Sequence, residues 1–268
     1  MSYKHEITET FRLILEQKWD DQEIWEQIRD KQLTAAPALV GNLYEEAATK
    51  VMFVGRCLNG WEVDFSDCST LEKTLESILE QKSSFDTFVY PGGFKYEKDG
   101  KQCKYNHENS NFFRLIKHIL EEVGESDVPL HNTWVKGTDS KNWHQRFVWA
   151  FLYCVAPRYG GNMDWKMVKP NMAAYIRLME LQIKEYKPDV VVFITDEGWF
   201  IPWKKQPSFD EMLDTYNPCN IDNVIVGKGE IANSKVIICK RPDARGKTYE
   251  DVQNMAKTIA NIIKNWNC

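Results

Sequence analysis

One segment of the sequence combines an anion-binding side chain, an amide and backbone that a ligand can approach closely. It follows the first strongly apolar run of the chain and consists of Gly55, Arg56, Asn59, Gly60 and Trp61. A glycine exposes the backbone, a guanidinium binds anions, and an amide can read the edge of a base or hold a water molecule. The same residues are also typical of a tight turn with a surface arginine, so the interpretation as a binding loop depends on where the turn lies in the fold.

A second segment places polar groups directly before two aromatic side chains at the start of a predicted helix. Its candidate ligand-binding residues are Asn109, Asn111 and Phe112. Backbone N–H groups at a helix N-terminus bind phosphate, and an aromatic ring can stack on a base. Taken alone, however, the pattern favours an ordinary capped amphipathic helix.

A third segment, residues 240–247, follows the last apolar run and is rich in cations. Its candidate ligand contacts are Arg241, Pro242, Arg245 and Lys247. Such a cluster at the edge of a sheet suits phosphate contacts. A solvated charged loop is the alternative, and Asp243 reduces the positive field of the segment.

Metal and cofactor sites with recognisable spacing are missing from the sequence. The five histidines are scattered, and the seven cysteines form no C-x-x-C pair, so neither a zinc site nor an iron–sulfur site is expected. The sequence has no P-loop, no G-x-G-x-x-G and no G-x-S-x-G. We therefore expect no metal and no cofactor.

The composition is that of a folded globular protein. Of 268 residues, 43% are hydrophobic and 27% charged, which argues against wholesale disorder. The formal net charge of -5 excludes a protein covered in positive charge but leaves room for a local basic groove. The polar N-terminus and the lack of a run of about 18 apolar residues predict a cytoplasmic protein with reduced thiols, no membrane partner and a monomeric state.

The elements that must position these segments alternate between strand and helix. Predicted helices span 3–19, 69–82, 112–123, 167–187 and 248–266, and predicted strands span 50–55, 147–155, 190–195 and 236–239. This order predicts an α/β fold, a three-layer α/β/α domain with a mainly parallel central sheet. We assign residues 1–48 to an N-terminal helical extension packed on the main domain and residues 49–268 to that single domain.

Three further segments carry weaker predictions. Asp20 and Asp21 can cap a second short helix. Residues 84–107 predict a long loop or a small hairpin around Asp99-Gly100, and residues 198–234 an irregular lobe with short strands. Because ligands of open α/β sheets bind beyond the carboxyl ends of the strands, a site is expected at the segments that follow Val54, Tyr153, Thr195 and Cys239.

Taken together, these segments resemble the uracil-DNA glycosylase superfamily. The resemblance rests on four blocks in order, VMFVGRCLNGW (51–61), NSNFFRLIKHIL (109–120), FVWAFLYCVAP (147–157) with PDVVVFIT (188–195), and VIICKRPDARG (236–246). It implies a glycosylase-like α/β/α fold and a DNA or nucleobase-containing partner, whose target base is flipped out of the stack into an aromatic pocket.

The resemblance also implies roles for single residues. Asn59 would position a water against the sugar carbon, and Arg241 would stabilise the departing anionic base. A ring from Phe65, Phe112 or Trp61 would stack on the base, while Arg245 and Lys247 would hold phosphates.

Three positions depart from the family pattern. Cys57 stands where the family has an acid or an amide, Phe151 stands near the base-reading asparagine, and Lys240-Arg241 replace the catalytic histidine. Two functions follow from the resemblance: excision of a base by hydrolysis of its N-glycosidic bond, or capture of a nucleobase without cleavage. A third, unrelated hypothesis is a small-molecule hydrolase that uses Glu62 and Asp64.

Overall fold

The computed structural model describes residues 2–19, 33–57, 71–80, 94–98, 101–105, 110–125, 143–157, 165–202, 207–242 and 248–266. Its α-helices are α1 Lys4–Trp19, α2 Leu71–Glu80, α3 Asn111–Glu122, α4 Trp165–Val168, α5 Met172–Tyr186, α6 Glu197–Phe200 and α7 Tyr249–Lys264. Its strands are β1 Leu33–Ala35, β2 Leu39–Val40, β3 Val51–Cys57, β4 Phe94–Lys98, β5 Lys101–Tyr105, β6 Phe147–Tyr153, β7 Val155–Pro157, β8 Val190–Ile194, β9 Thr215–Ile221, β10 Ile225–Ile231 and β11 Ser234–Cys239.

The main sheet has the order β2-β6-β3-β8-β11-β10-β9. Its central strands β6, β3, β8 and β11 are parallel to one another, as the apolar runs predict. The outer strands β2, β10 and β9 pair antiparallel, so the sheet as described is mixed rather than mainly parallel. The predicted α/β class is confirmed.

Helices cover the sheet in two pairs: α3 packs with α7, and α1 packs with α5. This arrangement is consistent with the predicted three-layer α/β/α fold. The central strands are Val-, Ile- and Phe-rich without alternation because helices cover both faces of the sheet. Phe53 and Phe193, in adjacent central strands, have no exposed surface.

The segment before residue 48 contributes short strands as well as a helix. Helix α1 packs on α5, β1 pairs with β7, and β2 pairs with β6 at the edge of the main sheet. The domain boundary at residue 48 stays a prediction. The predicted short helix that begins at Asp20 lies outside the described residues.

Two predicted elements differ from the structure. The predicted helix over 167–187 is interrupted, because Pro170 lies in a 3-10 turn over Lys169–Asn171 and the continuous helix α5 begins only at Met172. Proline has no N–H to donate and disfavours a helical conformation at the residue before it.

The predicted irregular lobe over 198–234 instead contains two seven-residue strands, β9 and β10, which extend the main sheet. Gly227 and Gly229 lower the strand propensity of β10, so the sequence gives only a weak signal for this strand. Both glycines are needed because the neighbouring strand approaches closely. A Cβ on Gly227 would lie 2.7 Å from Tyr216 Cε2, and one on Gly229 would lie 2.2 Å from the Thr215 carbonyl oxygen.

The predicted hairpin over 84–107 is confirmed as the antiparallel pair β4 and β5. Asp99 and Gly100, which join these strands, lie outside the described residues. The predicted cap of the last helix is also present: the Thr248 hydroxyl accepts a hydrogen bond from the Asp251 N–H, and the Asp251 carboxylate accepts one from the Thr248 N–H. Within the described parts of the chain, no helix has the length and apolar character needed to cross a membrane.

A buried tyrosine on α5 allows a first prediction about stability. The Tyr175 ring is 1% exposed, and its hydroxyl has no hydrogen-bond partner among the described residues. An unsatisfied buried hydroxyl is costly, so Tyr175→Phe should leave the free energy of unfolding at pH 7 unchanged or raise it by up to about 1 kcal/mol. Burial also raises the pKa of Tyr175 well above its usual value.

The raised pKa makes the stability of the protein depend on alkaline pH. The unfolded tyrosine ionises near pH ~10 whereas the folded one stays protonated, so stability is full below pH ~10 and is lost as pH rises above it. Urea unfolding at neutral and alkaline pH should show a smaller loss for Tyr175→Phe than for the wild type. The matched control at pH 7 is Tyr44→Phe, which should destabilise the protein because the Tyr44 hydroxyl donates a hydrogen bond of 3.1 Å to the Tyr186 carbonyl. A Tyr175→Phe variant that unfolds as easily as Tyr44→Phe would contradict this account.

Candidate functional site

The carboxyl ends of β3, β8 and β11 lie at one edge of the sheet because these strands are parallel and adjacent. From β3 the chain continues to β6 on one side of the main sheet, and from β8 it continues to β9, β10 and β11 on the other side. Between β3 and β8 the connections therefore run in opposite directions, which is where open α/β sheets bind ligands. The residues at this edge are Gly55, Arg56, Cys57, Asp196, Arg241 and Pro242, which we call the carboxyl edge.

Two hydrogen bonds hold the turn after β11 against its neighbours at the carboxyl edge. The Arg241 N–H donates to Asp196 Oδ1 at 2.9 Å, and the Asn111 amide donates to the Pro242 carbonyl oxygen at 3.3 Å. The first bond joins the turn to the end of β8, and the second joins it to the start of α3. The structure thus brings together segments that are more than a hundred residues apart in the sequence.

Arg56 lies on the indole ring of Trp199, with its guanidinium carbon 4.6 Å from the ring centre. A cation over an indole face is attracted by the negative potential of the ring. The buried Nε of Arg56 has no hydrogen-bond partner among the described residues. The indole holds the guanidinium in place as a fixed positive charge at the carboxyl edge.

Cys57 occupies the position where the glycosylase pattern has an acid or an amide. Burial raises the pKa of its thiol, and the charges of Arg56 and Arg241 offset that effect only in part. The thiol is therefore neutral at pH 7, and a thiol is a poor nucleophile compared with a thiolate. Because β3, β8 and β11 are parallel neighbours, the end of β3 and the turn after β11 lie on the same side of the molecule.

Aromatic rings form a wall beside Gly55. The half-buried Phe112 lies 5.3 Å from Phe113 and 6.1 Å from Trp149, measured between ring centres. Phe151 lies 4.7 Å from Trp149 and is only 4% exposed. Phe112 is therefore the ring of this wall that can stack on a ligand, while Phe151 supports Trp149 from within the strand.

Gly55 faces this wall at ordinary contact distances. A Cβ built on Gly55 would lie 3.4 Å from the Phe112 ring and 3.6 Å from the Trp149 ring nitrogen. The surrounding protein thus leaves room for a methyl group, and Gly55 does not have a positive φ that only glycine would accept easily.

Sequence reasoning missed three residues of this region. Asp196 adopts the backbone angles φ 63° and ψ 157°, and the Trp199 ring contacts the Arg56 guanidinium. The Tyr153 hydroxyl donates a hydrogen bond of 3.2 Å to the Trp199 carbonyl oxygen, which fixes the turn that contains Trp199. The only sequence signal was their place after the ends of β8 and β6.

Several sequence-predicted site residues lie outside the described residues. They are Asn59, Gly60, Trp61, Phe65, Asn109, Arg245 and Lys247, together with Glu62 and Asp64 of the hydrolase hypothesis. Of the predicted residues that are described, Gly55, Arg56, Asn111, Phe112, Arg241 and Pro242 belong to or adjoin the carboxyl edge.

In the described part of the chain, no three His, Cys, Asp or Glu side chains are grouped so that they could hold a metal ion. Comparison of the chain with protein-family models finds no match, and comparison with curated proteins finds none either. The function is therefore argued from the geometry of the carboxyl edge.

Proposed function

We propose that the carboxyl edge binds a nucleobase-bearing ligand, a flipped base in DNA, and that the chain is a divergent relative of the uracil-DNA glycosylase superfamily. The observation that carries this proposal is the convergence of Arg56, Phe112 and Arg241 from three distant segments. A flipped nucleotide presents a flat ring beside a negatively charged phosphate. An aromatic ring and two arginines at one edge of the sheet have the chemistry to receive both parts.

Binding without excision is the form of this function that the described residues support best. Cys57 is a neutral thiol, so it would not activate a water molecule at pH 7 in the way a carboxylate does. The Phe151 ring has no group that could hydrogen-bond the edge of a pyrimidine. Two of the three positions that depart from the family pattern therefore carry groups suited to packing.

The proposal is tested by titrating fluorescein-labelled single-stranded and duplex DNA, with and without uracil, into the purified protein. We expect binding that weakens steeply as salt rises, because phosphate contacts release counterions. Inorganic polyphosphate, which has the charge but no base, should compete poorly. No binding at low salt, or equally strong competition by polyphosphate, would overturn the nucleobase assignment.

The same samples decide between binding and excision. After alkali treatment, cleaved strands reveal abasic sites and hence hydrolysis of the N-glycosidic bond. Intact strands from a protein that binds them support capture without cleavage. Cleavage by the wild type that is lost in Asn59→Ala would instead establish excision.

Gly55→Ala separates ligand binding from folding. The new methyl group would make only ordinary contacts, so we expect the free energy of unfolding to change by less than about 1 kcal/mol. Binding of the same DNA should weaken roughly tenfold, because a methyl group 3.4 Å from the Phe112 ring would restrict the movement that this ring needs to stack on the base. Urea unfolding and anisotropy titrations measure the two effects. A stable variant with unchanged affinity would show that the Phe112 ring does not stack on the base.

A further inference from the structure

Asp196 combines a costly backbone conformation with a hydrogen bond to another segment. Its φ of 63° and ψ of 157° lie in a region that almost only glycine adopts. Residues held in such a conformation cluster at functional sites, because the surrounding structure must enforce them.

The side chain of Asp196 does not cap the helix that follows it. Asp196 precedes α6 as its N-terminal cap, yet the side chain makes no capping hydrogen bond to that helix. An aspartate at this position usually accepts a hydrogen bond from the first helical turn. Here Oδ1 instead accepts the Arg241 N–H at 2.9 Å.

Asp196 is also bound to β11 through its own backbone. Its N–H donates a hydrogen bond of 3.1 Å to the Cys239 carbonyl oxygen. Its carbonyl oxygen accepts hydrogen bonds from the N–H groups of Trp199 and Phe200. Asp196 thus connects two turns. One contains Trp199, whose ring contacts Arg56, and the other contains Arg241.

We propose that Asp196 is a positioning residue that sets the separation of the two arginines at the carboxyl edge by holding the Arg241 backbone in place. The inference rests on the proposed function for its effect on binding, but the positioning itself is independent of any ligand. Asp196 contacts neither the base nor the phosphate. It orders the turn before the ligand arrives, so that the ligand does not bear the cost of ordering it.

The test compares Asp196→Asn, Asp196→Ala and Asp196→Gly, with Asp189→Ala as the matched control. Asp189 lies at the opposite end of β8 and accepts a backbone hydrogen bond of 2.8 Å from Lys50 in the same way. In the ligand-free full-length protein, hydrogen exchange of the Arg241 amide should be roughly tenfold faster in the Ala and Gly variants. It should remain slow in the Asn variant and in Asp189→Ala.

The affinity for single-stranded DNA should vary with the order of the turn that contains Arg241 and not with the stability of the protein. We expect roughly tenfold weaker binding for the Ala and Gly variants, because a smaller fraction of the molecules has the competent turn. Asp196→Asn keeps the acceptor oxygen and should bind within about twofold of the wild type. Asp196→Gly should have a higher Tm than Asp196→Ala, because glycine relieves the backbone strain, and yet bind no better.

The outcomes separate this inference from the proposed function. Unchanged Arg241 exchange in Asp196→Ala would overturn the positioning role, whether or not the protein binds DNA. A wild type that binds no DNA, with Arg241 exchange that still responds to Asp196, would overturn the proposed function and leave the positioning role standing. Affinities that follow Tm across the three variants would show that Asp196 acts on stability alone.

Discussion

Replacing both Arg56 and Arg241 by methionine is expected to weaken binding of single-stranded DNA roughly a hundredfold. Charged hydrogen bonds are worth about 1.5–3 kcal/mol each, and even the lower value for both arginines gives a factor of this size. Methionine keeps an apolar stem of similar length, so contact with the Trp199 ring is largely retained. The dependence of affinity on salt should also become shallower, because fewer phosphates are neutralised.

Anisotropy titrations at several salt concentrations measure both effects. Arg177→Met is the matched control: Arg177 lies on α5, where it pairs with Glu6 and Glu180 away from the carboxyl edge. It should bind like the wild type. If the double variant binds with wild-type affinity and an unchanged salt slope, the two arginines do not contact the ligand.

Phe193→Ala is expected to lower the free energy of unfolding by about 3–5 kcal/mol. The ring has no exposed surface, lies in the central strand β8, and contacts the Phe200 ring edge-on at 4.8 Å between centres. Its removal leaves a cavity that close-packed neighbours fill only in part. Phe200 belongs to α6, so the cavity would lie beneath the turn that carries Trp199.

Urea unfolding at pH 7 measures this loss. Leu13→Ala provides the control, since the Leu13 side chain is 52% exposed on α1 and its truncation should cost less than about 0.5 kcal/mol. Equal costs for the two variants would contradict the placement of Phe193 in the core. A Phe193→Ala protein that remains folded should also show faster exchange of the Arg241 amide, because α6 and the turn after β11 share Asp196.

Much of the fold could be predicted from local pattern. The run from Val51 to Gly55 predicts a strand, the stripe that begins at Phe112 predicts a helix, and the pair Thr248 and Asp251 predicts a helix start. Each depends on residues close together in the chain, so periodicity and capping chemistry suffice. The region of β9 and β10 predicts only an irregular lobe with short strands, because Gly227, Gly229 and Pro218 depress strand propensity, while the contacts that compensate come from neighbouring strands.

The candidate site could be predicted only in part. Gly55, Arg56, Phe112 and Arg241 were recognisable by side-chain chemistry and by their place at the ends of predicted elements. Asp196 was not, because nothing in a local sequence shows that an aspartate adopts a glycine-like conformation or that its oxygen accepts an N–H from residue 241.

The amino-acid sequence by itself determined the central strands and most helices of this protein, many of its buried side chains and the kinds of chemistry at its turns. Hydrophobic periodicity and the intrinsic preferences of each residue act over a few neighbours, so these properties can be read locally. Only the tertiary structure decided the strand order, and with it the meeting of Arg56, Phe112 and Arg241 at one edge. Pairing between distant strands places those residues together, and the strain at Asp196 is tolerated only because that pairing has brought its hydrogen-bond donor within reach.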